Sequence, residues 1–444
     1  MSLLETILAS VAANGGRLAA VLGDDVARLN NTVDDTPFDS PDSPLGAPDE
    51  AWNLAQDIMT DCYQLISVLM PRRMQAMKFC FASSIEYGIG IAAHFKVADH
   101  IERRGGIATA ADLAKDCGTD AAKLTNVLQS LSGRHMFLEV EPEVFANNRH
   151  SRTLLSGAGA PEMLESYSIV SGKAFDGLLP LMTDRDNMHS IDPKKGAFAI
   201  ATGKPMAILD WMMLPENKAY LAQILTGMPW LSDTCGKGTV FGYNWAQWGP
   251  AATVCDMGSS DGGIMSLLKV KHPGFHIICQ DLAPMLPVAT QTFNTAHPGA
   301  IEKGQVEILL HDYFQEQETD ADAYWMRGVL HDYTEEECIT ILQNVAPRLR
   351  KNPKARILIN EIVKPSLLTP DPKAEGPASK RVPRTQSAFI EMSSIMQLHS
   401  TAFLAGRERS YYDFRDLFDK AGYRIEHFQQ LHLFSCIMRI ALKE

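Results

Sequence analysis

The stretch Thr253–Leu282, TVCDMGSSDGGIMSLLKVKHPGFHIICQDL, decides the predicted fold. It begins with a short apolar run that predicts a buried strand. Small residues follow from Gly258 to Gly263, and an apolar helix pattern comes next. A second apolar run then leads to Asp281, about 20 residues beyond the turn glycines. This order predicts a β-turn-α-β unit.

A unit of this kind binds a nucleotide-like ligand where its first strand meets its helix. We expect Gly258 and Gly262 to let the main chain pass close beneath a ligand, and Asp281 to accept from both hydroxyls of a ribose. The turn lacks the G-x-G-x-x-G spacing that holds a pyrophosphate, and Asp256 and Asp261 would repel phosphate. An adenosyl group with a sulfonium and an amino acid tail suits these acids. From this stretch alone, a strand-turn-helix without a ligand remains an equal alternative.

The composition is that of a globular protein. The chain has 444 residues, 45% of them hydrophobic and 21% charged, and a net charge of −12. This length predicts two or more domains. The acidic balance argues against nucleic acid and against an anionic membrane surface as partners. No apolar run is expected to reach the roughly 18 residues that a membrane span needs.

The eight cysteines are scattered through the chain, mostly inside apolar runs, and form no C-x-x-C pair. They predict reduced, buried thiols in a cytoplasmic protein rather than a disulfide framework or a zinc site. The adjacent pairs His311-Asp312 and His331-Asp332 point their side chains apart, so no metal site is expected.

Several segments precede the deciding stretch. Residues 1–35 predict an amphipathic helical extension with a break at Asn14–Gly16, and residues 36–49 a Pro-rich linker. Residues 50–160 predict short helices followed by a small hairpin, the outline of a winged helix, with a helix start at Thr109. Lys123 is the lone base on its second helix, which favours protein contact over DNA binding. Residues 161–240 predict a helical connection rich in Met and aromatic side chains. These side chains are typical of a core and also of a pocket for a flat substrate.

Residues 241–444 predict a doubly wound, mostly parallel sheet with an antiparallel C-terminal strand. Strands are expected at 306–310, 323–330 and 356–360, with a helix from Thr334 or Glu335 to about Leu349, and a closing hairpin. Polar residues follow five of the predicted strands, and the carboxyl ends of parallel strands share one edge. These residues are Asp256, Asp281, Asp312, His331 and Glu361. Residues 365–385 predict a proline-rich, basic loop beside this edge.

With these residues in hand, the chain resembles the plant and fungal O-methyltransferases that use S-adenosylmethionine. The resemblance covers the chain from about Ala76 onward. Its strongest part is Asp322–Leu342, DAYWMRGVLHDYTEEECITIL, which is similar to the family's alternating strand, His-Asp-Trp, acidic turn and Cys-x-x-Ile-Leu. The resemblance implies a winged-helix dimerisation domain, a class I methyltransferase domain of Rossmann-like fold, and a homodimer.

The resemblance also implies roles for individual residues. His331 matches the general base, with Glu361 and Glu408 as the carboxylates that orient it. The cofactor-binding positions that it implies are Gly258, Asp281, Leu282, Asp312, Phe314, Arg327 and Tyr333. Tyr333 stands where the family has tryptophan, and Ser259 where it has a second turn glycine. Trp230, Met392 and Met396 are candidates for the substrate pocket.

The function expected from the resemblance is methyl transfer to a phenolic or enolic hydroxyl of a fungal, polyketide-like secondary metabolite. One alternative is a cyclase, pericyclase or dehydratase on the same fold that binds S-adenosylmethionine without transferring its methyl group. A second alternative is a catalytically silent cofactor-binding partner protein. The acceptor, and exchange of the N-terminal helix between subunits, stay open at this stage.

Overall fold

The computed structural model describes residues 2–30, 38, 49–157, 159–363, 388–403, 409–431 and 435–443. Nearly all of the predicted linker at 36–49 and the whole predicted loop at 365–385 lie outside the described residues. The chain forms two compact units that meet in sequence at Leu231 and Ser232, and a few residues of a later helix group with the first unit.

The first unit is built mainly from helices. They are α1 (Leu3–Leu22), α2 (Asp49–Leu69), α3 (Arg72–Cys80), α4 (Ser83–His94), α5 (Val97–Arg103), α6 (Ala110–Cys117), α7 (Ala121–Ser132), α8 (Ala160–Asp176), α9 (Leu178–Thr183), α10 (Ala197–Thr202), α11 (Ile208–Met213) and the start of α12 (Lys218–Gly242). Three short strands form a small sheet in the order β1-β3-β2; they are β1 (Ile107–Thr109), β2 (Leu138–Glu141) and β3 (Val144–Ala146).

The helix starts of the winged-helix region follow from local capping. The Thr109 side chain accepts from the amide of Asp112 at the start of α6, and the Asp120 side chain accepts from that of Lys123 at the start of α7. Leu113, Leu128 and Phe145 are buried in the core between these helices and the small sheet. The expected hairpin is present, and strand β1, which the sequence pattern did not indicate, extends it to three strands.

Helix α1 differs from two expectations. It runs without interruption through Asn14–Gly16, since two glycines cost a helix only about 1 kcal/mol each and the flanking turns are strong formers. Residues Leu3–Ala27 are also long and apolar enough to cross a membrane by length and composition alone. The expectation that no run reaches this length was therefore wrong. In the structure α1 packs along α2, and Arg17 pairs with Glu50 at 3.1 Å.

The second unit is a seven-stranded sheet flanked by helices. Its strands are β4 (Thr253–Met257), β5 (His276–Asp281), β6 (Val306–Leu310), β7 (Ala323–Arg327), β8 (Arg356–Ile362), β9 (Tyr423–Gln430) and β10 (Ser435–Leu442). Its helices are α13 (Gly263–Lys271), α14 (Leu286–Ala296), α15 (Glu335–Lys351), α16 (Ala388–Phe403) and α17 (Tyr411–Ala421). The strand order is β6-β5-β4-β7-β8-β10-β9, and β10 alone of these strands runs antiparallel to β8 and β9. This is the doubly wound, mostly parallel sheet with an antiparallel C-terminal strand that the sequence pattern predicted.

Alternation along the central strands divides the core into two layers. Tyr324 and Met326 face the layer that contains α15 and α17, while Trp325 between them faces the layer that contains α13. The parallel register aligns the strand ends, with Asp256 opposite Cys279 and Arg327 opposite Asn360. The carboxyl ends of β4, β5, β6, β7 and β8 therefore lie along one edge.

Strand β7 ends three residues earlier than predicted. Gly328 has a φ of +60° and stops the strand after Arg327, and residues Leu330–Asp332 form one turn of 3₁₀ helix. The buried-thiol expectation also needs correction, since Cys80 is exposed and Cys62 and Cys117 are half-buried, whereas Cys255, Cys279, Cys338 and Cys436 are buried.

Candidate active site

A cavity of about 320 Å³ lies at the carboxyl ends of the parallel strands. It is lined by Gly258, Asp281, Leu282, His311, Asp312, Tyr313, Phe314, Gly328, Val329, Asp332 and Tyr333. Six of the seven predicted cofactor-binding residues are among them. The seventh, Arg327, is not. His311, Tyr313, Gly328, Val329 and Asp332 were not predicted, although each lies within two positions of a residue that was.

The turn after β4 carries the geometry expected of its glycines. Gly258 and Gly262 have φ values of +89° and +71°, the left-handed region that side chains disfavour. The amides of Gly258 and Ser259 both donate to the carbonyl of Gln280, at 2.9 and 3.1 Å. The left-handed residue between the glycines is Ser260, at +52°. Ser259 stands where the family has a second turn glycine, and its φ is not positive.

Asp281 is held rigidly at the end of β5. Its Oδ2 accepts from the amide of Ser260 at 2.8 Å, and its Oδ1 accepts from the amide of Leu282 at 2.7 Å. A carboxylate has about four acceptor positions, so two remain for further donors from the cavity. The two main-chain bonds fix the direction in which those positions point.

The far end of the cavity is aromatic. The Oδ1 of Asp312 accepts from the amide of Phe314 at 2.9 Å, and the rings of Phe314 and Tyr333 meet edge to face with centroids 5.2 Å apart. The hydroxyls of Tyr313 and Tyr333 lie 2.5 Å apart. Burial raises the pKa of both phenols, so both keep their protons at neutral pH and one donates to the other. The result is a fixed aromatic wall beside a carboxylate.

Arg327 lies close to a buried acid rather than at the cavity surface. Asp256, at the end of β4, is 5% exposed, and burial raises its pKa to about 7. The Arg327 guanidinium opposes this shift. Arg327 thus partly compensates the charge of Asp256. Asp256 lies just before the turn whose Gly258 lines the cavity.

His331 occupies the single 3₁₀ turn after β7, and its side chain is 24% exposed. Its Nδ1 lies 3.9 Å from Oε2 of Glu361, and its Nε2 lies 3.6 Å from Oδ1 of Asp332. Both distances are within ion-pair range and longer than a good hydrogen bond. Acids therefore approach the imidazole on both of its nitrogens.

Two buried side chains form hydrogen bonds with the main chain of this turn. Oε1 of Glu361 accepts from the amides of Val329 and Leu330, at 3.0 and 2.8 Å. Arg409 donates from Nη1 to the carbonyl of Leu330 at 2.5 Å and from Nη2 to that of Tyr333 at 2.8 Å. Sequence reasoning missed Arg409. Its one signal is its place next to the predicted Glu408.

The remaining predicted residues stand as follows. Glu408 lies outside the described residues, and so does the side chain of Met392. Trp230 is half-buried in α12, within the first unit, and Met396 is half-buried in α16, within the second. Among the described residues, no group of three or more His, Cys, Asp or Glu side chains is placed to hold a metal ion.

The cavity's chemistry fits a cationic adenosyl ligand and not a dinucleotide. Asp281, Asp312 and Asp332 line it, and none of the described lining residues is Lys or Arg. Burial lowers the pKa of His311, so this imidazole is neutral at pH 7. A pyrophosphate would meet net negative charge here, whereas a sulfonium would be attracted.

Family models match both parts of the chain. The O-methyltransferase domain matches residues 211–424, and the O-methyltransferase dimerisation domain matches residues 77–157. Together they cover more than half of the sequence. The chain belongs to the S-adenosylmethionine-dependent O-methyltransferases.

Individual relatives agree with this membership. The 3-O-methyltransferase 2 of Phanerochaete chrysosporium is 26% identical over 394 residues, covering 86% of this chain and 85% of its own length. The solved mitomycin 7-O-methyltransferase MmcR superposes with a TM-score of 0.62 at 20% identity, covering 84% of this chain and 98% of its own. LepI in complex with S-adenosylmethionine superposes with a TM-score of 0.67 at 18% identity, covering 88% of this chain and 94% of its own. At these identities the two solved structures show the fold alone.

The cofactor of this O-methyltransferase is S-adenosylmethionine. Asp281, with two acceptor positions remaining, would hold the ribose. Phe314 and Tyr333, together with Asp312, would enclose the adenine. When bound, the cofactor supplies an electrophilic methyl group on a sulfonium, which leaves as a neutral thioether.

Proposed function

We propose that this O-methyltransferase methylates a phenolic or enolic hydroxyl of a polyketide-like secondary metabolite, with His331 as general base. The carrying observation is the position of His331. It lies in the turn that follows β7, between cavity residues Val329 and Asp332 in sequence, with Oε2 of Glu361 3.9 Å from its Nδ1.

The chemistry needs a base at this place. A phenol has a pKa near 10, so at neutral pH its proton must leave as the oxygen attacks the methyl carbon. A neutral imidazole accepts that proton on its unprotonated nitrogen. The resulting imidazolium is stabilised by the nearby carboxylates of Glu361 and Asp332, as a triad's acid stabilises its histidine. Proximity of acceptor and methyl group supplies much of the remaining rate.

The test is transfer of label from methyl-labelled S-adenosylmethionine to a panel of phenols and polyketide enols. We expect labelled product and one S-adenosylhomocysteine per methyl transferred. Cofactor binding without label transfer to any acceptor, together with an isomerised or dehydrated product, would instead support the cyclase. The likeness to LepI concerns the fold and does not by itself favour that outcome.

We also propose that the enzyme is a homodimer. The match to the dimerisation domain supports this proposal. A second support is a group of exposed apolar side chains in and next to α3. Met74, Met77, Phe79 and Phe81 are between 56% and 69% exposed, and clustered exposed apolar surface marks interaction sites. Light scattering at micromolar concentration should give twice the 48.9 kDa chain mass. A Met77→Glu, Phe79→Glu variant should give the chain mass itself.

A further inference from the structure

Arg409 is a buried cation that is not among the residues lining the cavity. Its side chain is 4% exposed, and its two described main-chain bonds go to the carbonyls of Leu330 and Tyr333. These two residues flank His331 and Asp332. One planar guanidinium therefore spans the turn that carries the proposed base. Arginine suits this task because its donors form a rigid fork, which lysine lacks.

The opposite side of the same turn is held by an anion. Glu361 accepts from the amides of Val329 and Leu330, so Leu330 is held through its amide by a carboxylate and through its carbonyl by a guanidinium. The thiol of Cys338 also donates to that carbonyl, at 3.3 Å. Charge-assisted hydrogen bonds are about twice as strong as neutral ones. The turn is therefore held at its amides by an anion and at its carbonyls by a cation.

We propose that Arg409 is a positioning residue for catalysis. By holding the carbonyls of Leu330 and Tyr333, it fixes the direction of the His331 imidazole relative to Glu361 and the place of the Tyr333 ring at the cavity wall. This rests on the proposed role of His331 as base. A shift of about 1 Å in a catalytic group costs on the order of 100-fold in rate, which gives the proposal a measurable consequence.

The first test needs neither cofactor nor acceptor. Hydrogen exchange of peptides covering residues 328–334 is compared among the wild type, Arg409→Lys, Arg409→Met and the control Arg415→Met. Arg415 lies on the neighbouring helix α17 with its side chain 54% exposed. We expect at least 10-fold faster exchange in this peptide for Arg409→Met, an intermediate rate for Arg409→Lys, which can reach one carbonyl, and no change for the control.

The second test uses turnover of the folded variants below their unfolding temperatures. We expect kcat to fall about 10- to 100-fold in Arg409→Met with partial rescue in Arg409→Lys. The KM for the acceptor should change less than threefold, and the acid limb of the kcat profile should move. A merely structural arginine would lower the unfolding temperature and leave kcat and its pH profile of the folded fraction unchanged.

The two proposals fail in different ways. Wild-type exchange rates at 328–334 in both Arg409 variants would overturn the positioning role, whatever the reaction is. If Arg409→Met does not fold, the same comparison with Arg409→Lys decides. Absence of methyl transfer by the wild type would overturn the proposed function, while the exchange experiment would still test Arg409.

Discussion

Glu361 approaches Nδ1 of His331 to 3.9 Å with one carboxylate oxygen, while its other oxygen accepts from the main chain on which His331 is carried. The acid thus acts on the histidine in two ways: through its charge and through the shape of the turn. Two substitutions separate these effects.

Glu361→Gln should lower kcat about 10-fold and leave the fold intact. The amide oxygen can still accept from Val329 and Leu330, but the charge that stabilises an imidazolium is removed. Glu361→Ala should lower kcat and also the free energy of unfolding by about 2 to 4 kcal/mol, since two buried amides lose their acceptor. Denaturant unfolding and steady-state kinetics check both variants. Equal destabilisation by Gln and Ala would contradict the division of roles.

Tyr333 should contribute to cofactor binding mainly through its ring. Tyr333→Phe keeps the edge-to-face contact with Phe314 and removes one hydrogen bond to Tyr313, so we expect Kd for S-adenosylmethionine to rise about 2- to 10-fold. Tyr333→Leu should raise it further, by about tenfold again. Calorimetry measures both, with Tyr412→Phe on the exposed surface as control. A Leu variant that binds as well as Phe would exclude a contact with the ring face.

Asp256 should make stability depend on pH in the acid range. Its pKa is raised to about 7 by burial, so the folded state holds a proton that the unfolded chain has released from about pH 4 upward. Stability therefore falls as pH rises between about 4 and 7, by up to ~3 kcal/mol from this group. Asp256→Asn should flatten that slope, measured by urea unfolding at several pH values. The exposed Asp186→Asn serves as control, and an unchanged slope in Asp256→Asn would contradict a raised pKa.

Local sequence patterns predicted the central elements well. The apolar run before Gly258, the spacing to Asp281 and the Thr334 cap of α15 each depend on residues within one turn or one strand. The Thr334 side chain accepts from the Glu337 amide, and the Glu337 carboxylate accepts from the Thr334 amide. Such short-range signals lie in the sequence itself. The end of β7 was missed although Gly328 marks it.

Long-range contacts at the site could not be predicted in the same way. Arg409 forms a hydrogen bond with Leu330 at a sequence separation of 79 residues, and Glu361 does so at a separation of 31. Arginine is mostly exposed in proteins, so its burial leaves no trace in the hydrophobic pattern. Tyr313 likewise meets Tyr333 because the segments that follow β6 and β7 lie at the same edge of the sheet. These contacts arise from the sheet order, which the pattern of strands alone does not give.

The most direct measurement is single-turnover methyl transfer by His331→Ala beside the wild type, with the exposed His189→Ala as control. The acceptor is the best substrate from the labelled-cofactor panel. We predict that His331→Ala binds S-adenosylmethionine normally, transfers methyl about 10²- to 10⁴-fold more slowly, and loses the acid limb of the rate profile. Transfer at the wild-type rate by His331→Ala, with an unchanged pH profile, would contradict the assignment of His331 as the base.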